Sequence, residues 1–170
     1  MKFIKTYEMW TTTTTTMNDV DPQYDFVSKG KTYYGVHQIH LIRGNKRVEV
    51  KAKFDTGARA SSIDFSVAEK LGISKELLDE CKRLDNLDIP KEISREEQRK
   101  LEKEYTQELK EKFPDEVTSV QMSKSSSGFS VRAYIQCKIE YFGNIVDTEV
   151  NLRDRTGMSC EMLVGLKDML

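Results

Sequence analysis

Residues Arg47–Phe54 alternate without a break. Val48, Val50, Ala52 and Phe54 fall on one side, and Arg47, Glu49, Lys51 and Lys53 on the other. A period of two with one apolar face is a half-buried β-strand. This segment constrains the chain most, because its last inward residue hands the backbone directly to Asp55-Thr56-Gly57. A carboxylate must therefore stand at the end of a buried strand, beside a hydroxyl and a glycine that allows a tight turn. Upstream, Gly44-Asn45 tolerates positive φ, so residues 36–54 read as a β-hairpin. Its first arm carries Val36, Ile39, Leu41 and Ile42.

A second such pattern follows much later. Val131, Ala133, Ile135, Cys137, Ile139 and Tyr141 alternate with Arg132, Tyr134, Gln136, Lys138 and Glu140. Gly143-Asn144 reads as the turn, and Val146, Thr148, Val150 and Leu152 continue on the return strand. Met162-Leu163-Val164-Gly165 is a short apolar run closed by glycine. Between the two β regions the pattern is helical. One short helix is expected over Phe65 to Leu71, closed by Gly72. A second starts after the N-cap Ser74 and runs through about Leu84. A third starts after Ser94, with Glu97 completing a capping box, and ends at Pro114. Leu101, Tyr105, Leu109 and Phe113 mark its narrow apolar stripe, and Glu96–Lys100 and Glu108–Lys112 are i,i+4 pairs. The mixed charges of residues 74–116 fit a solvated helix hairpin inserted between strands. Strands, a helical insert and strands again predict a mainly β fold: a small closed β-barrel, whose closure removes exposed edges.

Residues 1–34 read as an N-terminal arm, and residues 35–170 as the folded domain. The threonine run Thr11–Thr16 suits either a strand added to a neighbouring sheet or a flexible arm. The aromatics Trp10, Tyr24, Phe26, Tyr33 and Tyr34 favour an arm that docks. With 27 basic and 28 acidic residues the formal charge is −1, which offers no field for nucleic acid or an anionic membrane. No apolar run reaches the roughly 18 residues of a membrane span, and the N-terminus lacks the apolar stretch of a signal peptide. Cys81, Cys137 and Cys160 are widely spaced and read as reduced thiols. A cytoplasmic setting follows as the expectation.

An aspartate delivered by a strand into a hydroxyl–glycine turn is how aspartic peptidases present their catalytic group. Two carboxylates held about 3 Å apart share one proton. One activates water as a base, and the other protonates the scissile carbonyl oxygen. The chain has one Asp-Thr-Gly, so a two-fold homodimer is the expected source of the second aspartate. Asp154 is the within-chain alternative.

The stretch Lys51-Ala52-Lys53-Phe54-Asp55-Thr56-Gly57-Ala58-Arg59-Ala60-Ser61-Ser62 resembles the signature of the retropepsin-like aspartic endopeptidase family once labelled "ATP-dependent zinc protease". Ser123-Lys124-Ser125-Ser126-Ser127-Gly128 with Val131-Arg132 resembles its serine–glycine block. Val150-Asn151-Leu152-Arg153-Asp154-Arg155, with Met158 and Met162–Gly165, resembles its closing block. The likeness spans about residues 36–71 and 119–170. It implies a pepsin-like or retropepsin-like barrel, a catalytic loop of Asp55, Thr56 and Gly57, and a homodimeric site acting on a protein or peptide. The family's association with glutamate-ligating enzymes implies acidic peptide tails as substrates. Where the family carries arginine after its last glycine, this chain has Leu166.

Candidate substrate-binding residues are Ala58, Arg59, Ser126, Ser127, Gly128 and Arg155. The serine–glycine segment reads either as a flap over substrate or as an ordinary polar loop. Arg59 reads either as a carboxylate-binding group or as the partner of Asp154. No metal or other cofactor is expected. His37 and His40, three apart on a strand, face opposite ways, and no Walker loop is present. The competing reading is a non-catalytic assembly module that docks through residues 1–34, as in a virus particle.

Overall fold

The computed structural model describes residues 26–28, 31–33, 36–125 and 128–169. Thr11–Thr16, Trp10, Ser126 and Ser127 lie outside the described residues. β1 (Phe26–Ser28) and β2 (Lys31–Tyr33) pair only with each other, as a small antiparallel sheet. The remaining strands are β3 (Val36–Arg43), β4 (Lys46–Asp55), β5 (Ser62–Asp64), β6 (Ser119–Ser125), β7 (Gly128–Tyr141), β8 (Asn144–Arg153) and β9 (Met162–Gly165). They follow the order β3-β4-β9-β5-β8-β7-β6, and a further β3–β7 pairing closes the first six into a barrel. The fold is thus the mainly β, closed barrel that the alternating segments demand.

The predicted inward residues fill its core. Ile39, Leu41, Val50, Ala52, Phe54, Val131, Ala133, Ile135, Ile139, Val150 and Leu152 are all buried. Removing such side chains from water is the main stabilising term, at about 1.5–3 kcal/mol for each valine, leucine, isoleucine or phenylalanine. Both hairpin turns form. Gly44 takes φ 56° at the first loop position of β3–β4, as a type II′ turn requires. The second turn departs by one residue from the sequence reading. Its loop is Phe142-Gly143, with φ of 48° and 76°, and Asn144 already belongs to β8. Phe142 accepts this left-handed backbone while its ring packs on Phe54, His37 and Tyr141. Aromatic contact there offsets a backbone cost of roughly 1 kcal/mol or more.

Helix α1 (Phe65–Lys70) is capped by Asp64, α2 (Lys75–Asp85) by Ser74, and α3 (Arg95–Lys112) by Ser94 with the full capping box. The pair Glu108–Lys112 forms at 3.0 Å, whereas Lys100 turns to Glu104 instead of Glu96. Glu96 stands in the first turn of α3, where its charge already favours the helix dipole. The insert is more than a solvated hairpin. β6 is the outermost strand of the order, and α3 covers it. The Val120 N–H donates to Thr106 Oγ1 at 2.9 Å, and the Met122 N–H to Glu102 Oε1 at 2.7 Å. Helix side chains thus satisfy strand amides that would otherwise form an open edge.

Among the described residues, no helix is long and apolar enough to cross a membrane. All three cysteines are free and buried. Burial, with Asp85 close to one and Asp168 to the other, pushes the Cys81 and Cys137 thiols up to about 12. They pack as apolar groups and offer no thiolate.

Candidate active site

β4 carries Asp55 to the rim of the barrel, where it pairs in parallel register with Gly165 of β9. The chain then turns at once. The Ala58 N–H donates to the Asp55 carbonyl at 3.2 Å, and the Gly57 N–H donates to Asp55 Oδ1 at 2.9 Å. That second bond fixes the carboxylate against its own turn and explains why a small residue follows Thr56. A Cβ on Gly57 would approach Asp55 Oδ1 to 3.1 Å. Asp55, Thr56 and Ala58 are half-buried, while Gly57 and Arg59 are exposed. The carboxylate is therefore held in place yet open to an approaching group.

Residues 165–168 clasp this turn from below. The Leu166 N–H donates to Ala58 O at 2.7 Å, and the Lys167 N–H to Arg59 O at 3.1 Å. The Gly165 N–H donates to Ser61 Oγ at 3.0 Å, and the Ser61 hydroxyl donates in turn to Asp168 Oδ2 at 2.5 Å. Ser61 and Asp168 are 0% and 2% exposed. Asn151 joins from β8, donating through its side chain and its backbone N–H to Ser61 O, at 2.8 and 3.0 Å. The Tyr141 hydroxyl donates to the Asp168 carbonyl at 2.7 Å. Gly165 is fixed sterically, since a Cβ there would fall 2.5–2.8 Å from the backbone of Ala60.

The sequence pattern marks Tyr141 only as a strand residue and gives Ser61, Asn151 and Asp168 no role of their own. Their partners lie far along the chain, 107 residues apart for Ser61 and Asp168, and no local pattern announces such pairs. The one available signal was polar residues placed beside or within apolar strand segments, as with Asn151 between Val150 and Leu152.

The other predicted residues divide. Arg155 is buried, and its guanidinium donates to Cys160 O at 3.0 Å and to Ser62 Oγ at 3.1 Å. Its own N–H donates to Asp64 Oδ2 at 2.7 Å. Burial and the neighbouring Arg153 charge push this guanidinium below its ordinary value, while Cys160, Asp64 and Asp55 act the other way. Arg155 therefore shares the field of Asp55. The Asp154 carboxylate is tied to its own turn. It is exposed, accepts the Thr156 N–H at 2.8 Å, and borders an open cavity of about 510 Å³ with Asp64 and Lys82. Among the described residues no ion pair joins it to Arg59.

Gly128 faces Ser125 in the β6–β7 register and takes φ 129°. His40 lies 3.7 Å from Glu49 and 4.0 Å from Glu140, whereas His37 packs edge-on against Phe54 and Phe142. The two imidazoles do not converge. Among the described residues, no group of three or more metal-ligating side chains is gathered.

A closed β-barrel with an aspartate set in a hydroxyl–glycine turn, clasped by the last strand, is the class that these observations define. No family model matches the chain, and no curated protein does. Among solved structures, the chain is similar to Lpg0085, a protein of unknown function (DUF785) from Legionella pneumophila subsp. pneumophila. Identity is 13%, 77% of this chain and 82% of that chain are covered, and the TM-score is 0.34.

Proposed function

We propose that the protein is an aspartic endopeptidase of the retropepsin-like type, active as a homodimer. The observation that carries this reading is the Asp55 turn, with its Gly57 N–H bond of 2.9 Å and the clasp beneath it. Catalytic carboxylates need such support, because misplacement by even about 1 Å is costly in rate. The carboxylate is also accessible, as attack by water requires.

In the dimer, the Asp55 carboxylates of two subunits face each other and share one proton, since both cannot ionise at about 3 Å. The ionised member takes a proton from water as the water oxygen attacks the scissile carbonyl. The protonated member delivers its proton to the carbonyl oxygen. Collapse of the resulting gem-diol then breaks the C–N bond, and the amine leaves with a proton from the dyad. Leu166, 48% exposed and next to the glycine that pairs with Asp55, supplies an apolar element for the subunit contact. The substrate class this reading favours is an acidic peptide.

A second reading, a non-catalytic assembly module, is favoured by the separate β1–β2 sheet at the end of the proposed arm. Sedimentation of the wild type and cleavage of a peptide library at mildly acidic and neutral pH separate the two. The peptidase reading expects a dimer, cleavage by the wild type, and none by Asp55→Asn. A monomer that cleaves nothing, or equal cleavage by both proteins, removes that reading.

A further inference from the structure

Three arginines gather on one face of the barrel, and among the described residues none of their guanidinium groups forms an ion pair. β7 and β8 pair with Tyr134 opposite Asn151. Continued by two residues past the last paired position, that register brings Arg132 and Arg153 opposite each other, on the same face as Tyr134 and Asn151. On the other side of β8, Arg153 pairs with Asp64 of β5, two residues past Ser62. Arg155 reaches back to Ser62, so the three guanidinium groups belong to one neighbourhood.

Arg132 is half-buried, and its Nε donates to Ser130 Oγ at 3.1 Å. The arginines that do form ion pairs, within 4.0 Å, are Arg47 with Glu140 and Arg83 with Glu80 and Glu108. Among the described residues, no carboxylate oxygen comes that close to the guanidinium nitrogens of Arg132, Arg153 or Arg155, although Asp64 Oδ2 accepts the backbone N–H of Arg155 at 2.7 Å. Burial, and then the Arg153 charge, push the Arg132 guanidinium below its ordinary value. Asp85 at the end of α2 acts on Arg132 and Arg153 only through its field. Like charges held together in partial burial are unfavourable until an anion compensates them. A guanidinium fork matches the two oxygens of a carboxylate.

We infer that Arg132 and Arg153, steadied by Arg155, form an anion subsite beside the Asp55 turn that takes a carboxylate side chain of the bound peptide. Only the choice of a peptide as ligand rests on the peptidase reading. Arg155 is a positioning residue here, since its own bonds are already committed to Ser62 and Cys160.

The test uses the full chain carrying Asp55→Asn, which binds without turnover. A fluorescein-labelled oligo-glutamate peptide, its oligo-glutamine counterpart and a phosphoserine peptide are titrated by anisotropy at low and high salt. The oligo-glutamate peptide is expected to bind and to weaken with salt, and the glutamine peptide to bind far more weakly. Arg132→Gln and Arg153→Gln each weaken binding by about tenfold or more. Arg153→Lys falls between, and keeps the test valid if the glutamine variant does not fold. Lys46→Gln, at the start of β4, changes nothing. Equal binding of the glutamate and glutamine peptides, or arginine variants that bind as the parent does, overturns the inference. Binding of the phosphoserine peptide alone overturns the carboxylate assignment. Cleavage by the wild type, measured on the same peptides, separates the two ideas. Charge-dependent binding without cleavage keeps the subsite and removes the peptidase, while charge-blind cleavage does the reverse.

Discussion

The clasp under Asp55 and the α2–α3 insert both hold the barrel with polar side chains, yet in opposite surroundings. In the clasp, Ser61, Asn151 and Asp168 are buried, so an unmade hydrogen bond has no water to replace it. In the insert, Arg83, Glu108 and Lys112 form a chain of ion pairs with half-exposed side chains. Water and salt compete there, and each pair contributes little. The same kinds of group are thus structural in one region and largely solubilising in the other. The buried polar contacts of the clasp lie where the candidate chemistry does.

The contrast can be broken by substitution. Gly165→Ala should have the largest effect, because the new Cβ meets backbone atoms of Ala60 at 2.5–2.8 Å. We expect destabilisation of about 3 kcal/mol or more, or failure to fold. Urea unfolding checks it, and a near-normal midpoint would mean that the clasp gives way easily. Asp168→Ala comes next. It leaves the Ser61 hydroxyl without its acceptor, at a cost of about 2–3 kcal/mol. Asp168→Asn, which keeps an acceptor, should recover most of that, as thermal melts of the pair would reveal.

The third prediction concerns acid. Burial alone would raise the Asp64 pKa, but hydrogen bonds from Ser66 and the Arg155 N–H outweigh it and hold the group below its ordinary 3.8. A depressed folded value means that this carboxylate stabilises the fold fully above about pH 4, and ceases to as the pH falls through that value. Asp64→Asn should therefore lose stability less steeply than the wild type as the pH falls below about 4. Parallel profiles would remove Asp64 from the acid response. The smallest effect belongs to the insert. Lys112→Gln should leave the melting temperature unresolved from wild type at physiological salt, and a clear drop would show that the exposed pairs are more cooperative than their surroundings suggest.

What the sequence revealed follows the range of each interaction. The β4 alternation, the Ser94–Glu97 capping box and the apolar runs of β7–β9 are local, and each can be read within a few residues. The Asp55 turn was legible for the same reason. The Phe142-Gly143 turn lies one residue from the sequence reading, and the rings of Phe54 and His37 that pack on Phe142 are remote in sequence. The same holds for α3 on β6, where Glu102 and Thr106 act as acceptors and donors for a strand that comes later. Asn151 shows only as a polar residue between apolar neighbours, and Ser61, Asp168, Arg132 and Arg153 show no local signal, because each gains its meaning from a partner remote in sequence.

The clasp also sets an order of events during synthesis. Asp55 and its turn leave the ribosome early, but Ser61 finds its carboxylate partner 107 residues later. Strand β4 likewise waits for β9, its parallel neighbour in the barrel. Pairings of such separation close slowly. A nascent chain that already displays Asp-Thr-Gly therefore cannot yet hold it in the geometry of the closed barrel. The fold thereby delays any activity of this site until residues as late as Asp168 have been made and the barrel is closed.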